Sequence, residues 1–198
     1  MTTALLLSGG MDSTAIAYWR RPEIALTVDY GQRPVAGEIR AASAVASALG
    51  IAHHVIRADL SALGSGDMAG TDALLVAPVP EWWPFRNQML VTLCAMKAVG
   101  LGVKHLLIGC LATDGRHADG RPEFVAALGS LLREQEGGIC LEAPAIGMTA
   151  AELVRTSGVP TEILSWSHSC HVAEYACGQC RGCRKHYETI TELGASPY

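Results

Sequence analysis

Two clusters in this chain carry residue types that can do chemistry. Ser8-Gly9-Gly10-Met11-Asp12-Ser13-Thr14 lies near the start, and Cys170, Cys177, Cys180 and Cys183 lie near the end. The first cluster follows a short apolar run at residues 4–7 and precedes a helix-forming stretch at 14–20. A strand, tight loop and helix in that order bring backbone N–H groups and the positive end of the helix to one point, which suits a phosphate. Gly9 and Gly10 let the main chain approach the anion, and Ser8, Ser13 and Thr14 add hydroxyl donors. The string is not a Walker A loop, because no Gly-Lys-Ser/Thr follows and the loop has no lysine to reach a terminal phosphate. Ser-Gly-Gly alone reads better as a turn with helix-capping Ser and Asp. The complete string between a buried strand and a helix reverses that preference.

The cysteines are spaced C-x6-C-x2-C-x2-C, and the two overlapping C-x2-C steps let neighbouring thiolates reach one tetrahedral ion. Gly178 and Gly182 supply turns, while Arg181, Arg184 and Lys185 lie among the thiolates and offset their charge. With all four positions filled by protein, the ion is a structural zinc. Two alternatives stand beside it. His168 or His171 replaces Cys170 as fourth ligand, or Cys177 and Cys180 form a redox pair; the second is weaker, since four cysteines at ligand spacing need no redox explanation. Seven cysteines are an odd count, and Cys94, Cys110 and Cys140 sit in apolar stretches, so a reducing, cytoplasmic setting is expected and a disulfide framework is not.

The elements that must position these clusters alternate. Strands are expected at 4–7, 24–28, 53–57 and 105–110, and helices at 14–20, 34–49, 86–99 and 122–136. Thr149-Ala-Ala-Glu152 reads as a capping box. This order predicts an α/β fold, Rossmann-like, with a parallel sheet covered by helices on both faces and a small zinc-binding motif after it. Residues 1–164 form the main domain and 165–198 the zinc-binding segment packed on it. Residues 61–84, broken by Gly64, Gly66, Gly70, Pro78, Pro80 and Pro84, read as a long surface loop. A chain of 198 residues with 49% hydrophobic content is enough for one sizeable core. A net charge of -4 with scattered basic residues argues against nucleic acid as a partner. Lys97, Lys104 and His105 interrupt the most apolar stretch, so no membrane span is expected. The opening Met-Thr-Thr-Ala-Leu-Leu-Leu has no basic region and reads as a buried strand, not a signal peptide.

Residues 8–13 match SGGxDS, and the chain here resembles the PP-loop, N-type ATP pyrophosphatase superfamily. That resemblance implies an adenine nucleotide alpha hydrolase-like fold whose loop holds the pyrophosphate of ATP while AMP passes to an acyl oxygen. It assigns Leu7 through Thr14 to ATP, with Ser13 at the phosphates and Asp12 holding Mg2+. Asp29 and Tyr30, in Asp29-Tyr30-Gly31-Gln32, then receive the adenosine.

Further segments narrow the resemblance to the 7-cyano-7-deazaguanine synthase family of the queuosine pathway. Pro84-Phe85-Arg86-Asn87-Gln88 is similar to its PxRN segment, and Asp119-Gly120-Arg121-Pro122-Glu123-Phe124 to its DCRDEF stretch. Residues 144–152 follow its P-hydrophobic-x-x-x-[ST]-K-x-E pattern apart from the lysine, and residues 165–183 resemble its zinc-binding end. The implied reaction converts 7-carboxy-7-deazaguanine to its nitrile with ATP and ammonia by way of an amide, in a homodimer that binds zinc. Arg86 is carried over as a catalytic candidate beside Asp12 and Ser13. Asn87, Asp114, Asp119 and Arg121 join it as candidates for the substrate pocket.

Two departures bear on substrate. Gly115-Arg116-His117-Ala118 replaces the family's Ser-Gly-Tyr-Pro and is one residue shorter, and the 61–84 loop is short and carries Trp82 and Trp83, suited to stacking on a purine or a partner or to local packing. A second reading therefore keeps the adenylation and gives the acyl group to another amine, including one on a protein acceptor. A third, a zinc-bearing interaction module with a degenerate nucleotide pocket, is opposed by the intact Asp12 and Ser13.

Overall fold

Neighbouring residues of the short strands alternate between two hydrophobic cores, and this organises the molecule. The computed structural model describes residues 2–194, apart from the side chain of Arg116. Met1 and residues 195–198, which belong to the two segments drawn from the sequence, lie outside the described residues. The strands are β1 (Thr3–Leu6), β2 (Ile24–Asp29), β3 (Ala52–Arg57), β4 (His105–Leu107) and β5 (Cys140–Glu142). They form one sheet in the order β3-β2-β1-β4-β5, with every pairing parallel. The register sets Ala4 beside Ile24 and Leu106, and Leu5 beside Ala25 and Leu107. Ala4, Leu26 and Leu106 face one core, while Leu5, Ala25 and Leu107 face the other, as the two-residue strand period requires.

The helices are α1 (Met11–Arg20), α2 (Val35–Leu49), α3 (Arg86–Gly100), α4 (Pro122–Arg133), α5 (Ala150–Ser157), α6 (Thr161–Leu164) and α7 (Arg181–Glu192). Val91, Cys94 and Ala98 of α3 and Leu128 of α4 cover the first face. Ile16 of α1, Ala42 and Val45 of α2 and Leu153 of α5 cover the second. Each Val, Leu or Ile buried among these stabilises the fold by about 1.5–3 kcal/mol. The expected doubly covered parallel sheet is the one observed. Among the described residues, no helix is long and apolar enough to cross a membrane.

Several boundaries differ from the sequence-based expectation. α1 begins at Met11 and not at 14, because Gly10 takes an extended conformation and its carbonyl accepts the Thr14 N–H at 3.0 Å. β4 stops at Leu107, and α4 at Arg133 before the positive-φ pair Gly137 and Gly138. β5, only three residues long, is too short to show an alternation. α7, of sequence RGCRKHYETITE, is mostly polar and carries its few apolar residues, Cys183, Tyr187 and Ile190, at helical spacing; the Sγ of Cys180 starts it by accepting the N–H of Cys183. The capping box is present, with the Thr149 hydroxyl accepting from Glu152 N–H at 3.2 Å and the Glu152 carboxylate accepting from Thr149 N–H at 2.8 Å.

The chain runs outward from β1 to β2 and β3, then returns across β1 to β4 and β5. Order reverses between β1 and β4, and a crevice opens there beyond the carboxyl ends of the strands, the usual ligand position in open α/β sheets.

Candidate active site

The loop after β1 reaches that crevice and is held by its own hydroxyls. Ser8 Oγ accepts from Gly10 N–H at 3.3 Å and lies 3.1 Å from Ser13 Oγ, which donates to the Gly10 carbonyl at 3.0 Å. Gly9 has φ +80°, and a Cβ there would lie 2.5 Å from the Glu38 carbonyl, so α2 packs directly on the loop's backbone. Thr14 Oγ1 is buried and lacks a partner. Leu7 is buried beneath, its carbonyl accepting the Thr27 hydroxyl at 2.6 Å. Ser8, Gly10, Met11, Asp12 and Ser13 line a cavity of about 290 Å³.

The cation missing from the loop arrives from the other end of the chain. Lys185 Nζ lies 2.9 Å from Asp12 Oδ2 and 3.7 Å from Asp114 Oδ1. Burial works against the lysine's charge, but the two carboxylates outweigh it and raise its pKa. Arg181, one turn earlier, donates to Glu81 Oε1 at 2.6 Å. The expectation that Arg181 and Lys185 serve the thiolates is thus corrected: they point into the cavity, and Arg184 is exposed. Their signal was the i, i+4 spacing of Arg181, Lys185 and Thr189, which shares one helix face.

Arg86 also lines the cavity, where its Nη1 lies 2.9 Å from Met68 Sδ and its charge bears on Tyr30 and Glu38. Tyr30 is buried edge-on against Trp83, with ring centroids 4.9 Å apart, so this tryptophan packs locally. Gln32 ties the corner together, accepting from Tyr30 N–H at 2.8 Å and donating to Val28 O at 3.0 Å and Glu38 Oε2 at 2.7 Å. Burial pushes the Glu38 carboxyl up to about 7, with the Gln32 bond and the Arg86 charge opposing it.

The remaining candidates divide. Asn87 and Asp114 line the cavity, with Asp114 Oδ2 accepting from Leu111 N–H at 2.9 Å. Asp119, Arg121 and Asp29 stand outside the lining. Asp119 Oδ2 accepts the Asn87 N–H and its carbonyl accepts the Asn87 side-chain amide, both at 3.0 Å, which makes it the cap of α3. Arg121 Nε donates to the Gly115 carbonyl at 3.1 Å. Asp29 accepts from Gly31 N–H at 3.3 Å and faces Arg57 at 3.9 Å.

The four cysteine sulfurs converge within 4.8 Å of one another. Cys170–Cys180 and Cys177–Cys183 are each 3.9 Å apart. A tetrahedral zinc with Zn–S bonds of about 2.3 Å needs sulfurs about 3.8 Å apart, so the set fits that ion. Amides of Gln179 and Cys180 donate to Cys177 Sγ and bring its pKa down to about 6, favouring the thiolate a metal requires. Cys170 completes the group, whereas His168 Nε2 is engaged 3.1 Å from the Ala173 carbonyl. The segment is also stitched to the loop: His168 N–H donates to the Gly9 carbonyl at 2.8 Å, and Arg40 of α2 pairs with Glu174 at 2.6 Å.

A parallel sheet of this order, with a glycine-bearing loop at its switch point and a four-cysteine cluster beside it, defines a Rossmann-like fold of the PP-loop type. The solved structure of the U34-tRNA thiolase NcsA from Methanococcus maripaludis, with its [4Fe-4S] cluster, shares the fold at a TM-score of 0.51 and 16% identity, over 98% of this chain and 65% of that one. Residues 2–194 match the family model described as Queuosine biosynthesis protein QueC, and the chain belongs to that family. Relatives named 7-cyano-7-deazaguanine synthase include one from Synechococcus sp. (strain RCC307), 31% identical over 98% of this chain and 96% of its own length. Another, from Ralstonia nicotianae, is 35% identical over 91% of this chain and 89% of its own.

Proposed function

We propose that the chain is an AMP-forming ligase that activates 7-carboxy-7-deazaguanine with ATP and converts it with ammonia to 7-cyano-7-deazaguanine. The observation that carries this reading is a single cavity lined by the Ser8–Ser13 loop, Lys185 and Arg86, in a chain whose relatives bear the synthase's name.

A carboxylate is a poor electrophile, so the first task is to give it a leaving group. The Gly10 to Ser13 amides and hydroxyls hold the pyrophosphate portion of ATP at the start of α1, and Lys185 neutralises part of its charge. Asp12 is the carboxylate that holds Mg2+, which supplies further charge neutralisation at the phosphates. Arg86 orients the substrate carboxylate, whose oxygen displaces pyrophosphate from the α-phosphorus. Ammonia then displaces AMP from the acyl carbon to give the amide. Adenylation of the amide oxygen, again with loss of pyrophosphate, followed by departure of AMP and protons, leaves the nitrile. The apolar wall of Leu90, Val91 and Ile108 limits water that would hydrolyse the acyl adenylate. The four cysteines would hold zinc, and the ion would fix the start of α7 and with it Lys185 and Arg181.

The test is mass spectrometry of nucleotide, small molecule and intact protein after incubation with Mg2+, ATP, ammonia and 7-carboxy-7-deazaguanine. Nitrile together with AMP supports the proposal. AMP with only the amide, or with mass added to a protein, replaces it by a redirected adenylate, and absence of AMP refutes adenylation.

A further inference from the structure

Glu81 is 4% exposed, and only one of its two carboxylate oxygens is satisfied. Oε1 accepts from Arg181 Nη1 at 2.6 Å, while Oε2 is buried without a partner. The residue lines the cavity together with His171, whose Nδ1 is likewise buried and unpartnered. A buried carboxylate oxygen with no donor is costly, and such an atom in a cavity wall marks the place where a ligand's N–H completes it. Arg181 already serves the protein side of the carboxylate, so the missing donor comes from the cavity.

A 7-deazaguanine ring offers two neighbouring donors on one edge, N1–H and the 2-amino group, and a carboxylate is the side chain that accepts without donating. We infer that Glu81 selects the substrate ring, its Oε2 accepting from the N1–H and 2-amino edge; this rests on the deazapurine reading above. A ring with a 2-oxo group in place of the amine sets oxygen against oxygen at that point and is rejected. Glu81 lies outside the motif segments quoted above. It lies in the 61–84 segment, and only the fold carries it beneath Arg181 of α7.

The experiment measures equilibrium binding of 7-deazaguanine and 7-deazaxanthine to the full zinc-loaded chain, in the wild type and in Glu81→Gln, with zinc content and ATP affinity measured alongside. The glutamine oxygen still accepts from Arg181, and its NH2 replaces the acceptor by a donor. The wild type is expected to prefer the 2-amino ring by about ten-fold or more. The variant is expected to lose or invert that preference with zinc and ATP binding unchanged. A retained preference in the variant, or equal or absent binding of the two rings by the wild type, overturns the inference. If Glu81→Gln fails to fold, the wild-type ratio alone decides in the same way. A wild type that selects the 2-amino ring but makes no AMP from the 7-carboxy compound sinks the ligase reading and leaves the assignment of Glu81 standing. Nitrile formation with an unaltered preference in the variant sinks only Glu81.

Discussion

Lys185 Nζ lies 2.9 Å from Asp12 Oδ2, so a residue of the last helix completes a loop built from the first ten to fifteen positions of the chain. The lysine supplies the positive charge that the loop's own sequence lacks. Lys185→Met is expected to remove one charge-assisted contact, about 1.5–3 kcal/mol, and to weaken ATP binding about ten- to a hundred-fold. Zinc content should not change, since no cysteine is touched. Calorimetric titration with ATP checks this, and an unaltered affinity would take Lys185 out of the nucleotide site.

Cys180→Ser separates the metal from the helix it starts. Cys180 Sγ accepts from His171 and Cys183 N–H groups and lies 3.9 Å from Cys170 Sγ. Its loss should lower zinc occupancy and melting temperature together, because structural metal binding is coupled to folding. ATP affinity should fall with them as α7 loses its anchor, in contrast to Lys185→Met, where zinc stays. Full zinc retention in Cys180→Ser would exclude that sulfur from the ligand set.

Asp119 acts on α3 from outside the helix, its carboxylate accepting the Asn87 N–H at 3.0 Å. Asp119→Ala is expected to cost about 1 kcal/mol as a lost cap. That corresponds to a melting temperature about 2–4 °C lower in a chain of this size. Thermal denaturation monitored by circular dichroism measures it; a loss of substrate affinity at unchanged stability would instead put Asp119 in the substrate pocket.

Glu38 makes stability depend on pH. Its folded pKa is about 7 against an ordinary 4.5, raised chiefly by burial. The folded state therefore holds the proton more tightly than the unfolded chain. The resulting stabilisation is complete below about 4.5 and is lost as pH rises through about 7. Glu38→Gln removes this contribution, so the stability difference between wild type and variant should drift against the wild type across that window. Urea unfolding of both proteins at several pH values reads the slope; parallel curves would show that Glu38 titrates normally.

How much of this was legible in the sequence follows from the range over which each feature is encoded. The turn at Ser8–Thr14, the central strands and the convergence of four cysteine sulfurs depend on neighbours within a few positions, where strand period, glycine freedom and ligand spacing act directly. The type of fold followed, because strands alternating with helices leave a parallel sheet as the packing that covers both faces. Tertiary structure alone decided that Lys185 meets Asp12, that Arg181 meets Glu81 across 100 positions, and that Asp119 caps α3. Those pairings involve polar side chains on α7, a helix of mostly polar sequence, and in loops whose course is set by what they pack against. Their partners are chosen by the geometry of the completed sheet and the thiolate cluster, and no local pattern encodes that geometry.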